Sequence, residues 1–152
     1  MNKYYKDTEG QLFVNPILAN HDDLKKITDA QFKAELAARN KPTTDQLLQQ
    51  LTQARKEQER QGVTINGIRY AGDPGNRQAL QEAIAFMEDA TLTEFPSFKD
   101  SDNGFHADHP LTDVVDAYRA IGIQRAALIA NEGNYAQQIT SGKLTDLKKV
   151  TW

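Results

Sequence analysis

Val63-Thr64-Ile65-Asn66-Gly67-Ile68-Arg69-Tyr70 is the stretch from which the fold is read. Asn-Gly is the preferred centre of a two-residue type I′ turn, because both central residues need φ > 0. That turn sets Ile65 opposite Ile68 and Val63 opposite Tyr70. All four then share one face, with Thr64 and Arg69 on the other, so turn chemistry and period-2 pattern fix the same register. Such a hairpin is half buried and needs a helix over its apolar face. The chain supplies one at once. Gly72-Asp73-Pro74 reads as turn, N-cap and first helical residue. Ala79, Leu80, Ala83, Ile84 and Met87 follow at helical spacing, to about Asp89.

Downstream, residues 95–100 and 104–106 flank Ser101-Asp102-Asn103 as a second hairpin, with Phe side chains as its apolar content and Pro110 at its end. Thr112 is then expected to cap a helix carrying Val114, Ala117, Tyr118, Ile121 and Leu128 on one side. Glu132-Gly133-Asn134 is expected to interrupt it, and a shorter helical piece with Ile139 to stop at Ser141-Gly142. Leu144 and Leu147 are placed in the core, with residues 148–152 as a tail.

Upstream, Gly62 is a natural C-cap for a helix over 44–61, entered through a capping box of Thr43 and Gln46. Leu47, Leu48, Leu51 and Ala54 make a narrow apolar stripe, and no apolar residue follows until Val63. A helix polar all round is a solvated spacer or relies on a partner. The segment therefore reads as a connecting helix and hinge, with a short oligomeric seam as the competing reading. Further back, Thr28 and Gln31 form another capping box. Ile27 and Phe32 fit a hydrophobic staple, and Phe32, Leu36 and Ala37 can share a face before Pro42 closes the helix. At the start, Tyr4-Tyr5, the polar turn Asp7-Thr8-Glu9-Gly10 and Leu12-Phe13-Val14 read as a small hairpin ended by Asn15-Pro16.

The resulting expectation is an α+β fold, mostly helical with short β-hairpins. It has a docking unit over 1–40, a connecting helix over 41–62 and a compact domain over 63–150.

The chain has 152 residues, of which 39% are hydrophobic and 26% charged. That is lean for a core and leaves some elements exposed. Eighteen Lys and Arg against 21 Asp and Glu give a net charge of −3, which argues against a nucleic-acid partner. With no Cys, disulfides, thiolate metal sites and cysteine nucleophiles are excluded. No run approaches the roughly 18 apolar residues of a membrane span, so no membrane partner is expected. The opening Met1-Asn2-Lys3-Tyr4-Tyr5-Lys6-Asp7 lacks the apolar stretch of a signal peptide.

The search for chemistry finds little. His106-Ala107-Asp108-His109, with Asp100 and Asp102 near, is the one cluster worth testing for a metal; His21 stands apart. Neither His106 nor His109 has the helical i, i+4 spacing of a specific two-His motif, so a polar loop is the better reading and no metal or cofactor is expected. The acidic pairs Asp22-Asp23, Glu57/Glu59 and Glu88-Asp89 lie in polar segments, not in the apolar pocket that general acid–base work needs. Gly72-Asp73-Pro74-Gly75 has no phosphate-loop pattern, and no Ser sits in a nucleophile elbow. The remaining candidates are for partner binding. They are Tyr4, Tyr5 and Phe13 near the N-terminus, since a lone hairpin is unstable by itself, and Leu47, Leu48 and Leu51 on the polar helix. Trp152 is left open between a partner and the core.

Tyr4-Tyr5-Lys6-Asp7, Gly10, Phe13, Ile27-Thr28-Asp29 and Ala34-Glu35-Leu36 resemble the N-terminal portion of small tail-associated and tail fibre assembly proteins of tailed bacteriophages. The segment from Pro42 to Leu48, with the Gln/Arg/Glu-rich helix after it, is similar to the same group. The second half resembles a domain of unknown function found in phage tail proteins, through the hairpin 63–70, Asp73, Leu80, Ile84, the hairpin 98–105 and Leu111-Thr112. Phe98 stands where that domain usually has Trp. The resemblance implies a non-enzymatic structural or adaptor protein on the tail tip, baseplate or fibre, its partners other tail proteins or further copies of itself. It would sit in the virion tail and, during assembly, in the host cytoplasm. The alternative is a fibre-assembly chaperone that leaves before the virion is complete.

Overall fold

The structure, a computed structural model, describes residues 2–16 and 23–152. His21 and Asp22 lie outside them. The fold is α+β, with short antiparallel strand pairs between helices, and it divides into two compact units, residues 1–43 and 44–152.

The first unit is a three-stranded antiparallel sheet in the order β2-β1-β3, built from β1 (Tyr4–Lys6), β2 (Leu12–Val14) and β3 (Lys25–Ile27), followed by helix α1 (Asp29–Arg39). Tyr5 pairs with Phe13 on one side and Lys26 on the other. The expected hairpin is present, and β3 is the strand the sequence did not announce, because Lys25-Lys26-Ile27 has no alternating pattern. Thr28 caps α1 with the full reciprocal box to Gln31. Phe32 stacks on Tyr4 with ring centroids 4.4 Å apart. Leu36 and Ala37, expected beside it, are exposed, and α1 contains no buried residue.

The second unit begins with α2 (Thr44–Gln61), then β4 (Val63–Ile65), β5 (Ile68–Tyr70), α3 (Pro74–Asp89), β6 (Glu94–Lys99), β7 (Phe105–Pro110) and α4 (Leu111–Thr140). The β4–β5 register pairs Val63 with Tyr70 and Ile65 with Ile68, as the turn chemistry requires. Asn66 and Gly67 take φ of 50° and 82°. Asp73 caps α3 through Gly75 and Asn76. Gly62, at φ +69°, lets α2 end directly against β5; a Cβ there would run into the Tyr70 carbonyl and the Ala71 backbone.

Two apolar cores hold this unit. In one, Val63, Ile65, Ile68 and Tyr70 pack with Leu80 and Ile84 of α3 and with Val114, Ala117, Tyr118 and Ile121 of α4. The cover over the hairpin is therefore shared, with α4 contributing most of the fully buried side chains. In the other, Leu47 and Leu51 of α2 meet Ile139 of α4 and Leu144, with Leu147, Val150 and Trp152 packed around them. The tail thus joins the core, and Trp152 lies edge-on to Tyr135.

Three expectations are corrected. The helix over 44–61 is not a solvated connector: Leu51 is 1% exposed, α2 packs along α4, and both belong to one compact unit. The helix from Leu111 is not interrupted at 132–134 but runs for 30 residues. Gly133 faces open space, so its cost of about 1 kcal/mol is outweighed by buried Leu128 and Ile139 on either side. Thr112 does not cap that helix. Pro110 is the N-cap without a side-chain bond, because β7 pairs with β6 right up to Pro110 and passes straight into α4.

Candidate functional site

The second hairpin places the residues with the most chemistry. Its pairing joins Phe95 to His109 and Phe98 to His106, with a break between Pro96 and Asp108. Proline has no N–H to give a ladder, and Asp108 turns to φ +48°. The break resets the alternation of side chains. Residues three apart, Phe95 with Phe98 and His106 with His109, therefore point to the same side, where a regular strand would send them to opposite faces.

On that side His109 is 3% exposed and lies 4.6 Å, centroid to centroid, from the stacked ring of Phe98. Its Nε2 is 2.7 Å from the hydroxyl of Tyr70, itself 2% exposed. Burial pushes the Tyr70 hydroxyl up to about 12, with Asp113 and Asp100 adding to it. Burial also holds the His109 imidazole below the ordinary histidine range; Asp113 opposes that and His106 reinforces it. Both groups are thus neutral at pH 7 and share one hydrogen bond, whose direction is set by the imidazole tautomer. His106 stands at the rim with Nε2 2.8 Å from Asp100 Oδ2. Asp100 also accepts from the backbone N–H groups of Asp102 and Gly104. The His106 bond, then these backbone bonds, keep its carboxyl below the usual carboxylate range.

The two histidines are 5.9 Å apart by ring centroid, and each directs Nε2 at a different partner. Among the described residues no three His, Asp or Glu side chains are grouped to hold a metal ion. Beside the hairpin lies an open polar cleft of about 600 Å³, lined by Glu57, Arg60, Arg69, Asp73, Lys99 and Asp100 among others. Its charges are largely spent on each other. Arg60 pairs with Glu57, Asp73 caps α3, and Arg69 grips Asp102 while donating to the carbonyls of Gln61 and Ser101.

A second polar cluster ties three helices together. Glu59 of α2, 6% exposed, meets Arg55, with Arg125 of α4 at 3.4 Å and Arg77 of α3 at 3.7 Å. Glu132 of α4 accepts from Thr52 at 2.6 Å and sits 2.5 Å from Arg55 Nε. That nitrogen is off the line of a hydrogen bond, so the contact is a bare ion pair. Sequence reasoning missed this cluster because charged residues on a helix read as solvated. The signal that could have found it is spacing: Leu51, Arg55 and Glu59 continue the stripe of Leu47 at steps of four.

The expected partner-binding residues are mostly used inside the fold. Tyr5, Leu47 and Leu51 are buried, Leu48 packs beside the second core, Phe13 is half-buried, and Tyr4 is stacked on Phe32. Buried side chains are not available to a partner, so Tyr5, Leu47 and Leu51 are withdrawn as docking residues. Large apolar side chains are open at several places, among them Phe105 of β7 and Phe86 of α3, and α4 carries the longest such stretch. From Ala120 to Ser141 its only charged residues are Arg125 and Glu132, and both belong to the ionic cluster. Gly122, Ile123, Ala126, Ala127, Ala130 and Gly133 are exposed, Ile123 to 73%.

A family model described as a domain of unknown function, DUF4376, matches residues 42–150. The chain belongs to this family. The DUF4376 match starts just ahead of α2, which agrees with the packing that places α2 in the second unit. No curated protein and no solved structure matches the chain. Among the described residues no helix is long and apolar enough to cross a membrane.

Proposed function

We propose that this protein is a non-enzymatic component of a bacteriophage tail, an adaptor attached at the tail tip, baseplate or fibre. The resemblance of its N-terminal residues and second half to tail-associated proteins motivates the reading. The observation that supports it best is the outer face of α4. In a chain with 26% charged residues, a long stretch of helix offers water no uncommitted charge and leaves Ile123 largely uncovered. Small side chains at 122, 126, 130 and 133 let a partner's backbone come close. Such a face is suited to holding another protein, and a tail protein is the partner assigned to it.

The test is mass spectrometry of purified phage particles assembled with the wild-type chain or with an Ile123→Asp, Ala126→Arg variant. The wild type is expected in the particles and the variant depleted at least tenfold, while its thermal stability stays within about 0.5 kcal/mol, as for surface changes. Absence of the wild type from particles overturns the adaptor reading. Absence from particles with recovery on unassembled fibres favours the assembly chaperone.

A further inference from the structure

We propose that the β6–β7 hairpin is an acid-released flap, held on the core of the second unit by neutral His109. The hairpin reaches that core through Phe95, Phe98 and His109. Its strands pair only with each other, and a two-stranded ribbon is marginal without the surface it packs on. One of its three core-facing side chains is thus a titratable ring sealed among apolar neighbours. At the tip, Arg69 holds Asp102 and the Ser101 carbonyl, and Ser101 bonds the backbone of Arg69 and Ala71, so opening must also break these tip bonds.

The groups facing His109 come from each neighbouring element. β5 presents Tyr70, whose hydroxyl is its hydrogen-bond partner. α4 presents Asp113, which favours the imidazolium. On its own strand lies His106, which disfavours it, with Asp100 behind His106. α3 brings apolar Leu80 and Ile84 to this core. Protonation of the ring leaves a charge in a site 3% exposed, where the Tyr70 hydroxyl can accept from Nε2–H but brings no compensating charge. A buried charge without a close, directly bonded counter-ion is expensive. Swinging the hairpin out hydrates the imidazolium and uncovers Tyr70, Phe95 and Phe98.

The sign follows from linkage. The folded-state imidazole is held below its ordinary value of 6.5, so the released state binds more protons at acid pH. The stability that His109 contributes is complete above about pH 6.5 and is lost as the pH falls toward the depressed folded value.

The experiment is amide hydrogen exchange of the full chain from pH 7.5 to 4.5, corrected for intrinsic rates. Protection over 94–110 is expected to fall at least tenfold more than protection over 47–51. His109→Gln, which can still accept from Tyr70, should abolish the differential loss, and His106→Gln should retain it. Should His109→Gln fail to fold, the wild-type His109 titration by NMR must share its midpoint with hairpin opening. Protection that is independent of pH, a loss equal at 47–51, persistence in a folded His109→Gln, or separate midpoints would each overturn the proposal.

Discussion

The two halves of α2 are held against α4 by opposite means. The first half uses Leu47 and Leu51, which meet Ile139 and Leu144 in one apolar cluster. The second half uses Arg55 and Glu59, which meet Arg125 and Glu132, with Arg77 of α3 closing the set. One helix pair is thus closed by apolar contact at one end and by charge at the other. The difference is one of specificity. Apolar contact stabilises in proportion to area and tolerates sliding. An ionic cluster of three guanidinium groups and two carboxylates is satisfied in one register, and a shift of α2 along α4 would part Glu59 from Arg125 and Arg55 from Glu132, leaving Glu59 with Arg55 of its own helix and Arg77 of α3. Buried ion pairs are weak sources of net stability and large sources of penalty when broken.

That asymmetry can be broken from either side. The largest effect is expected for Glu59→Ala, which leaves Arg55 facing Arg77 and Arg125 with Glu132 as its one counter-ion. A loss of about 4 kcal/mol should appear in urea unfolding with unchanged slope. Leu51→Ala, at a site 1% exposed, should cost about 3 kcal/mol by the same measurement. The comparison is sharpened by replacing the ionic end with an apolar one, Arg55→Met, Glu59→Leu and Glu132→Leu together. Stability should then change by less than about 1 kcal/mol or rise. Hydrogen exchange of α2 should become less uniform, because register is no longer specified. If Glu59→Ala costs no more than a surface change, the ionic end is not a clamp.

The same contrast explains what could be read from the chain. Elements set by local chemistry were legible: the Asn66-Gly67 turn, the caps at Thr28 and Asp73, and the stop at Ser141-Gly142. The apolar end of α2 was visible as a stripe, but its burial inside the fold was not, since a short stripe serves a core or a partner equally well. The ionic end was illegible because charges are buried only when they find each other in space. The histidine cluster was visible as a spacing, but its shared face and its partners were not. His106 and His109 share a face only because pairing breaks between Pro96 and Asp108. Nothing in a period-2 reading places that break. The 30-residue length of α4 was masked by Gly133, whose helix-breaking tendency is small beside the buried contacts flanking it.

The outer face of α4 is where the functional account meets the structure, and a photo-crosslinking amino acid at position 123 tests it most directly. In cells assembling phage with this chain, irradiation is predicted to join position 123 to a tail protein, while the same group at exposed Gln78 on α3 gives no product. No adduct at 123, or equal adducts at 123 and 78, would contradict the account.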